Sequence, residues 1–229
     1  MIDFHTHILP SVDDGSKSVA ESLSMLCKMT EQGVDTVIAT PHFYADDESL
    51  DSFLARREAA MERISDRPSD APRVLPGAEV RYYEGISRMP ELAKLRIQDT
   101  RLLLLEMPFT RWSEYAVREV IDIASQGRII PVLAHVERYL FSQKSDVASR
   151  LLESGVLFQA NASFFTERMS RRRALSMVGR GQIHFIGSDC HNLTSRPPNL
   201  ADAYAIMEKR YGSAFTTGFA HYQRELLPR

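Results

Sequence analysis

The first residues able to do chemistry are His5 and His7, at the end of the opening Met-Ile-Asp-Phe-His-Thr-His. Apolar and polar side chains alternate through Ile2, Asp3 and Phe4, the pattern of a short strand. Two apart on a strand, both imidazoles face the same side. Such a pair at a strand end makes half of a transition-metal site, although one His-x-His alone is more often a surface or core pair. The rest of the chain changes that balance. Strand-like runs end again and again in His42, Glu79, Glu106, His135, Asn161 and the pair Asp189/His191. Five of the seven histidines therefore fall at or just past strand ends, with His184 and His221 elsewhere. One carboxylate after an apolar run is a common terminator; the whole set predicts a polynuclear metal centre. Imidazole and carboxylate without thiolate suit Mn²⁺, Fe²⁺ or Zn²⁺. A carboxylate such as Glu79 can bridge two ions, and ions about 3.5–4 Å apart clamp both the attacking and the leaving oxygen of a phosphate ester. Water on such ions drops in pKa towards roughly 7. The chemistry expected is hydrolysis.

The elements that must hold these groups alternate. A loop from Ile8 to Gly15 carries Pro10 and the pair Asp13-Asp14. Ser16 is placed to cap a helix whose Val19, Leu23, Leu26 and Met29 recur at helical spacing, with Gly33 past its end. Strand-like runs follow at Val34–Thr40, Val74–Tyr82, Leu102–Leu105, Ile129–Ala134, Val156–Ala160 and Ile183–Gly187. Between them lie helical segments from Glu48 to Ile64, Ser113 to Ser125 and Asp146 to Leu152, and a basic helix from Glu167 to Val178. Leu200–Tyr211 and Ala214–Leu227 close the chain as helices. Seven strands alternating with helices argue for parallel βαβ units, and for a closed or nearly closed α/β barrel over an open sheet. In such barrels the active site lies at the C-terminal ends of the strands, which is where the histidines and carboxylates fall.

Composition narrows the class. At 229 residues the chain reads as a single domain, 1–229, with no linker, low-complexity tract or solenoid repeat. Its net charge of −2 gives no electrostatic case for binding nucleic acid or a membrane surface. No apolar run nears the roughly 18 residues of a membrane helix, and the start lacks a secretory signal pattern. Cys27 and Cys190 make no disulfide framework, which fits a reducing, cytoplasmic setting.

At this level of detail the motifs resemble a known family. Ile-Asp-Phe-His-Thr-His at the start, Val-Asp-Asp-Gly at 12–15 and Ala-Thr-Pro-His at 39–42 look like the PHP (polymerase and histidinol phosphatase) superfamily. Gly-Ala-Glu-Val at 77–80, Leu-Leu-Glu-Met at 104–107, Ala-His-Val-Glu-Arg-Tyr at 134–139 and Gly-Ser-Asp-Cys-His-Asn at 187–192 narrow it. Together they resemble the bacterial manganese-dependent protein-tyrosine phosphatases of the CpsB/CapC type, linked to capsule and exopolysaccharide production. The resemblance covers nearly the whole chain, and its motifs stand in the family's order.

The resemblance implies a distorted (β/α)₇ barrel with three metal ions, Mn²⁺ in the first place. His5, His7, Glu79 and Asp189 would hold the first ion. Glu79, Glu106 and His135 would hold the second, and Asp14, His42 and His191 the third. Asp13 stands beside Asp14, and one of the two would only orient a ligand from behind it. Arg138 matches the family's catalytic arginine; Arg196 is a second candidate for gripping phosphate, since guanidinium binds it two-pronged. Cys190 and Gly187 depart from the small residue and the alanine that the family pattern suggests, and neither change removes a ligand. The implied activity is a metal-dependent phosphomonoesterase acting on phosphotyrosine by a metal-bound hydroxide. Its implied partner is a bacterial tyrosine kinase with a tyrosine-rich tail.

Rival readings have their own residues. Cys190 to Arg196 fits Cys-x₅-Arg, the spacing of cysteine-dependent tyrosine phosphatases, but His-Asn-Leu-Thr-Ser inside it has no glycine to let backbone N–H groups converge. A small-molecule enzyme such as histidinol-phosphate phosphatase would use similar ligands, and a metal-stabilised interaction module would use them without turnover. The run Ser170-Arg171-Arg172-Arg173 reads first as a solvated helix face, and second as a surface for an acidic, phosphotyrosine-bearing tail or a neighbouring subunit of a homo-oligomer. Phe164 and Phe165 could help receive an aromatic ring, but such a pair is more often packing. Gly179-x-Gly181 is no dinucleotide fingerprint.

Overall fold

Strands form where the β-branched and leucine-rich runs lie. In the computed structural model, which describes residues 1–228, they are β1 (Ile2–Thr6), β2 (Thr36–Ala39), β3 (His42–Phe43), β4 (Arg73–Pro76), β5 (Glu79–Arg81), β6 (Leu102–Glu106), β7 (Ile130–Leu133), β8 (Leu157–Asn161) and β9 (Phe185–Gly187). Every pairing is parallel, in the orders β1-β2-β4 and β3-β5-β6-β7-β8-β9. Two of the expected strands are each broken once. Pro41 lacks an N–H for the ladder and interrupts β2/β3, and Gly77-Ala78 interrupts β4/β5. Gly77 N–H to Ala39 O (2.8 Å) and Glu79 N–H to Pro41 O (3.0 Å) carry the pairing across both breaks. The ring closes between β9 and β1 through a bridge of Thr6 with Cys190, flanked by His7 N–H to Cys190 O (2.9 Å) and Asp189 N–H to His5 O (2.8 Å). Seven strand positions thus make a distorted α/β barrel, as the alternation predicts.

The helices are α1 (Val19–Glu31), α2 (Leu50–Arg63), α3 (Glu114–Ser125), α4 (Val147–Glu153), α5 (Ala162–Thr166), α6 (Arg171–Gly179), α7 (Leu200–Tyr211) and α8 (Ser213–Glu225). Serine hydroxyls at Ser18, Ser49 and Ser113 accept N–H bonds from the first turns of α1, α2 and α3. The expected cap Ser16 is two residues early. Its hydroxyl meets Ser22 Oγ at 2.8 Å and its N–H donates to His7 O, so it ties the loop to β1 instead. The expected basic helix from Glu167 to Val178 is also two helices. Ser170 Oγ donates to Phe164 O (2.8 Å) and Arg171 Nε to Phe165 O (3.0 Å); these side chains satisfy the end of α5 and turn the chain into α6. Phe164 and Phe165 are buried packing, as expected. Two short 3₁₀ turns, Ile86–Arg88 and Leu92–Leu95, occupy a stretch that periodicity left blank.

One apolar cluster fills the barrel and a larger one lies around it. Phe4, Ile38, Leu75, Leu104, Val132 and Phe185 meet inside, with Phe4 and Phe185 stacked 3.8 Å apart across the closing seam. The register of β1 against β2 slips by one residue between Asp3 and Thr6. Slips of this kind re-aim side chains. Here Phe4 joins the inner cluster while His5, its neighbour, reaches the carboxylates above it.

His184, one of the two histidines off the strand ends, belongs to the scaffold. Its Nδ1 accepts Phe158 N–H at 3.0 Å, a role only the neutral ring can play, and burial pushes it down to about 4. The unfolded ring titrates near 6.5, so on acidification the unfolded chain binds the proton first. Stability from neutral His184 is complete above that value and is lost as the pH falls towards the folded value. Urea unfolding at pH 7.5 and pH 5 should show wild type losing about 1–2 kcal/mol more than His184→Asn, which keeps an acceptor but does not titrate. Equal losses would remove His184 from this role.

Candidate metal centre and active-site cleft

His5 and His7 point the same way, as the two-residue spacing demands, with their Nε2 atoms 3.1 Å apart. Hydrogen bonds on the far side of three rings fix their tautomers. His5 Nδ1–H meets Gln159 Oε1 at 3.3 Å, His7 Nδ1–H meets Asp13 Oδ2 at 2.7 Å, and His191 Nδ1–H meets Asp189 O at 3.0 Å. Each ring therefore presents an Nε2 lone pair to the cleft, the arrangement a cation requires. Asp13 Oδ2 also accepts His42 N–H at 3.0 Å, and Oδ1 accepts Gly15 N–H at 2.9 Å. Burial alone would raise the Asp13 carboxyl, but the hydrogen bond and charge of His7 outweigh it and hold it well below the usual range.

Glu79 stands at the hub. Its buried Oε2 lies 3.2 Å from His5 Nε2, 3.4 Å from His7 Nε2 and 3.0 Å from His42 Nδ1. Its Oε1 lies 2.8 Å from His135 Nε2, which is 3.4 Å from Glu106 Oε1. Asp189 Oδ1 lies 3.4 Å from His7 Nε2, while Oδ2 accepts Asn161 Nδ2–H at 2.9 Å. Asp14 is the exposed member; its Oδ1 is 3.3 Å from His191 Nε2 and 3.5 Å from His42 Nε2. All nine residues expected around the metals are thus brought together. They form sets whose donor atoms lie within 4.8 Å of one another: His5/His7/Asp189, His5/Glu79/His135, His42/Glu79/Glu106 and His7/Asp14/His42/His191.

The donor chemistry fits divalent cations. Glu79 Oε2, His42 Nδ1, His135 Nδ1 and His191 Nε2 are buried, and none makes a hydrogen bond among the described residues. Buried polar atoms are normally satisfied, and Glu79 Oε2 is crowded by three ring nitrogens while bonded to none. The carboxylates also demand positive charge. Burial disfavours charged imidazole, yet Asp13, Asp189 and Glu79 lift His7 well above its ordinary value, and Glu106 and Glu79 lift His135 to about 9. Protons or metal ions must fill this space, and imidazole–carboxylate clusters are metal-binding chemistry.

The backbone around the cluster is under constraint. Asp189 (φ 54°) and His135 (φ 28°) sit in the left-handed region, which is costly for residues with a side chain and recurs at functional sites. A Cβ on Gly187 would fall 2.5 Å from His5 Cβ, and one on Gly15 would fall 2.2 Å from His7 O. At Gly187 the departure from alanine is therefore what lets this chain bring β9 against His5.

Outside the cluster opens a cleft of about 500 Å³, lined by His42, Tyr44, Arg81, Phe109, Arg138 and Arg196 among others. Both expected arginines are present, and both are paired with Asp189: Arg138 through Oδ2, and Arg196 Nη2 through Oδ1 at 2.7 Å. Phe109 is 56% exposed, with its ring stacked on His135. Phe109, Tyr44, Arg81 and Gln159 escaped the sequence reading. Gln159 alone left a signal, a polar residue inside the apolar run of β8. The Cys-x₅-Arg match dissolves in three dimensions. Cys190 is fully buried in the core and burial pushes its thiol well above the ordinary value, while Arg196 reaches into the cleft.

Comparisons with known proteins match this chain in sequence and in fold. A family model described as capsular polysaccharide synthesis, CpsB/CapC, matches residues 1–225. The tyrosine-protein phosphatase YwqE of Bacillus subtilis is 35% identical over 224 residues, covering 93% of this chain and 86% of that protein. A chain from the crystal structures of YwqE and of CpsB from Streptococcus pneumoniae, described as unique metal-dependent tyrosine phosphatases, matches with a TM-score of 0.85 at 30% identity, over 99% of this chain and 94% of that one. Histidinol phosphate phosphatase from Lactococcus lactis, solved with zinc, L-histidinol and phosphate, shares the fold alone, with a TM-score of 0.56 at 13% identity over 92% of this chain and 93% of that one. Matched along nearly its whole length in sequence and in fold, the chain belongs to the CpsB/CapC family.

Proposed function

We propose that residues 1–229 act as one metal-dependent protein-tyrosine phosphatase domain, hydrolysing phosphotyrosine on a cytoplasmic protein partner. The observation that carries this reading is Glu79 Oε2, buried and unbonded among three imidazole nitrogens at the floor of a cleft that also holds three arginines, Arg81, Arg138 and Arg196. Three ions, Mn²⁺ by preference, would be held as the family resemblance implies, by His5, His7, Glu79 and Asp189, by Glu79, Glu106 and His135, and by Asp14, His42 and His191, the last trio lying within one observed donor set. Bound there, the cations supply Lewis-acid activation of water and of the phosphoryl oxygens.

The chain's own side chains do the rest. Arg138 and Arg196 hold permanent charge over the cleft, and an incoming phosphoryl group replaces Asp189 as their partner. They then oppose the charge that develops on the equatorial oxygens during in-line transfer. Phe109 and Tyr44 offer rings beside which the tyrosyl ring can lie. Asp13 and Gln159 keep His7 and His5 in the tautomer that donates an Nε2 lone pair. The relatives' names support tyrosine phosphate as substrate, and the family's tie to capsular polysaccharide synthesis supports a bacterial tyrosine kinase tail as its source.

Assays on a phosphotyrosine peptide test the reading, with histidinol phosphate as the competing substrate. Chelation should abolish turnover and Mn²⁺ should restore it. N-ethylmaleimide should leave it intact, because the exposed Cys27 reacts while Cys190 stays protected until the protein unfolds. Activity that survives chelation and dies on alkylation would sink the metal mechanism; preference for histidinol phosphate would sink the substrate. Arg138→Ala should lower kcat about 100-fold or more without lowering metal content. Asp13→Ala should weaken metal binding, read by calorimetry, about 10- to 100-fold; unchanged affinity would deny Asp13 its orienting role.

A further inference from the structure

The face that carries α6 holds the chain's basic run, and the proposed reaction makes no use of it. Between the 140–148 segment and α6 lies a cavity of about 430 Å³, within the roughly 300–1,000 Å³ of small-ligand pockets. Leu140, Ala148, Phe158 and Met177 give it an apolar lining, and Lys144, Arg173 and Arg180 supply cations. No carboxylate and no histidine lines it. The Arg173 guanidinium lies 4.0 Å over the ring of Phe141, itself 45% exposed. A neighbouring cavity of about 600 Å³ shares Ser176 and Arg180 and adds Arg168, Arg171, Arg172 and Arg210, again with no acidic residue.

Electrostatics alone does not explain this cluster. Arg171, Arg172 and Arg173 open α6, at the end where the helix dipole repels cations, and no acidic residue lies in that first turn. Among the described residues, Arg172, Arg173, Arg180 and Arg210 form no salt bridge, in a chain whose net charge is −2. One hydrogen bond links the wall of this cavity to the wall of the catalytic cleft. Gln143 lines it, and Gln143 Nε2 donates to the carbonyl of Thr110 at 3.1 Å; Thr110 lines the cleft beside Arg138.

An apolar floor with a cationic rim takes a ligand with an aromatic or aliphatic body and an anionic end. We infer that this cavity is a second phosphotyrosine site, which binds without hydrolysing another phosphorylated tyrosine of the same substrate chain. The inference rests on the tyrosine-phosphatase reading. The tyrosyl ring lies on the apolar floor beside Phe141, and Arg173 and Arg180 grip the phosphate two-pronged. With no imidazole or carboxylate present to hold a metal, the phosphate there stays intact. Two-point attachment raises the effective concentration of the next phosphotyrosine at the cleft.

The test compares a singly with a doubly phosphorylated tyrosine peptide. Wild type should show kcat/KM about tenfold higher for the doubly phosphorylated one, through KM. Arg173→Glu/Arg180→Glu, both exposed, should erase that preference and leave turnover of the single peptide and of p-nitrophenyl phosphate unchanged. Arg173→Lys/Arg180→Lys should keep part of it. The proposal falls if wild type treats the two peptides alike, or if the charge-reversed enzyme keeps its preference. It also falls if that enzyme loses only its binding to phosphatidylserine vesicles, which would mark a membrane patch. Fluorescence anisotropy of the doubly phosphorylated peptide on both proteins reads the site separately, so absence of any phosphotyrosine turnover would overturn the function and leave the binding site to be judged on affinity.

Discussion

A carboxylate taken out of water must be met by positive charge or give up its own. Glu79 imposes that condition on the rest of this fold. It is buried at the middle of the barrel mouth, with imidazoles from β1, from β3 and from the end of β7 aimed at it. Burial works to protonate it, but the surrounding histidines, His5 foremost, hold it ionised, well below the ordinary range. The neighbouring carboxylates of Glu106 and Asp189 add to the same debt of positive charge. A protein that only needed stability would fill this space with leucine, as it does one layer deeper with Leu75, Leu104 and Val132. The site is therefore costly by construction, and its outer ring of Asp13, Gln159 and Asn161 reads as the scaffolding that keeps it in one arrangement.

The barrel is distorted where the site needs it to be. The one-residue slip in β1 brings His5 to the carboxylates while Phe4 stays in the core. The interruptions at Pro41 and Gly77 divide two strands into a lower half that packs and an upper half that carries His42 and Glu79. Close approach at Gly15 and Gly187 then lets the loops from both sides press against His7 and His5. Regular strands would have spread these side chains over alternate faces.

Much of this was legible in the chain. Apolar runs ending in His, Glu or Asp announced both the strands and the rim, because strand ends in a parallel barrel share one face. All nine expected metal-site residues and both arginines converge, and Asp13 and Asp14 part company: Asp13 bonds His7 Nδ1–H from behind, while Asp14 lies exposed near His42 and His191. What the residues could not announce depended on distances across the fold. Ser16 and Ser18 are equally good caps until Ser16 is seen bonded to Ser22 and His7. The split of the basic segment into α5 and α6 follows from side-chain bonds to carbonyls of α5. Phe109 and Tyr44 carry no periodic signature, since cleft walls are made by loops.

The seam between β1 and β9 joins two sequence-distant parts of the donor cluster, His5 and His7 at the end of one strand, Asp189 and His191 just past the other. During synthesis the first histidines leave the ribosome long before their partners exist. A chain that ends before β9 lacks Asp189 and His191, although the sets His5/Glu79/His135 and His42/Glu79/Glu106 need neither. The full donor set closes only where the last strand meets the first, so the two ends of the barrel are held together by the same residues that complete the cluster.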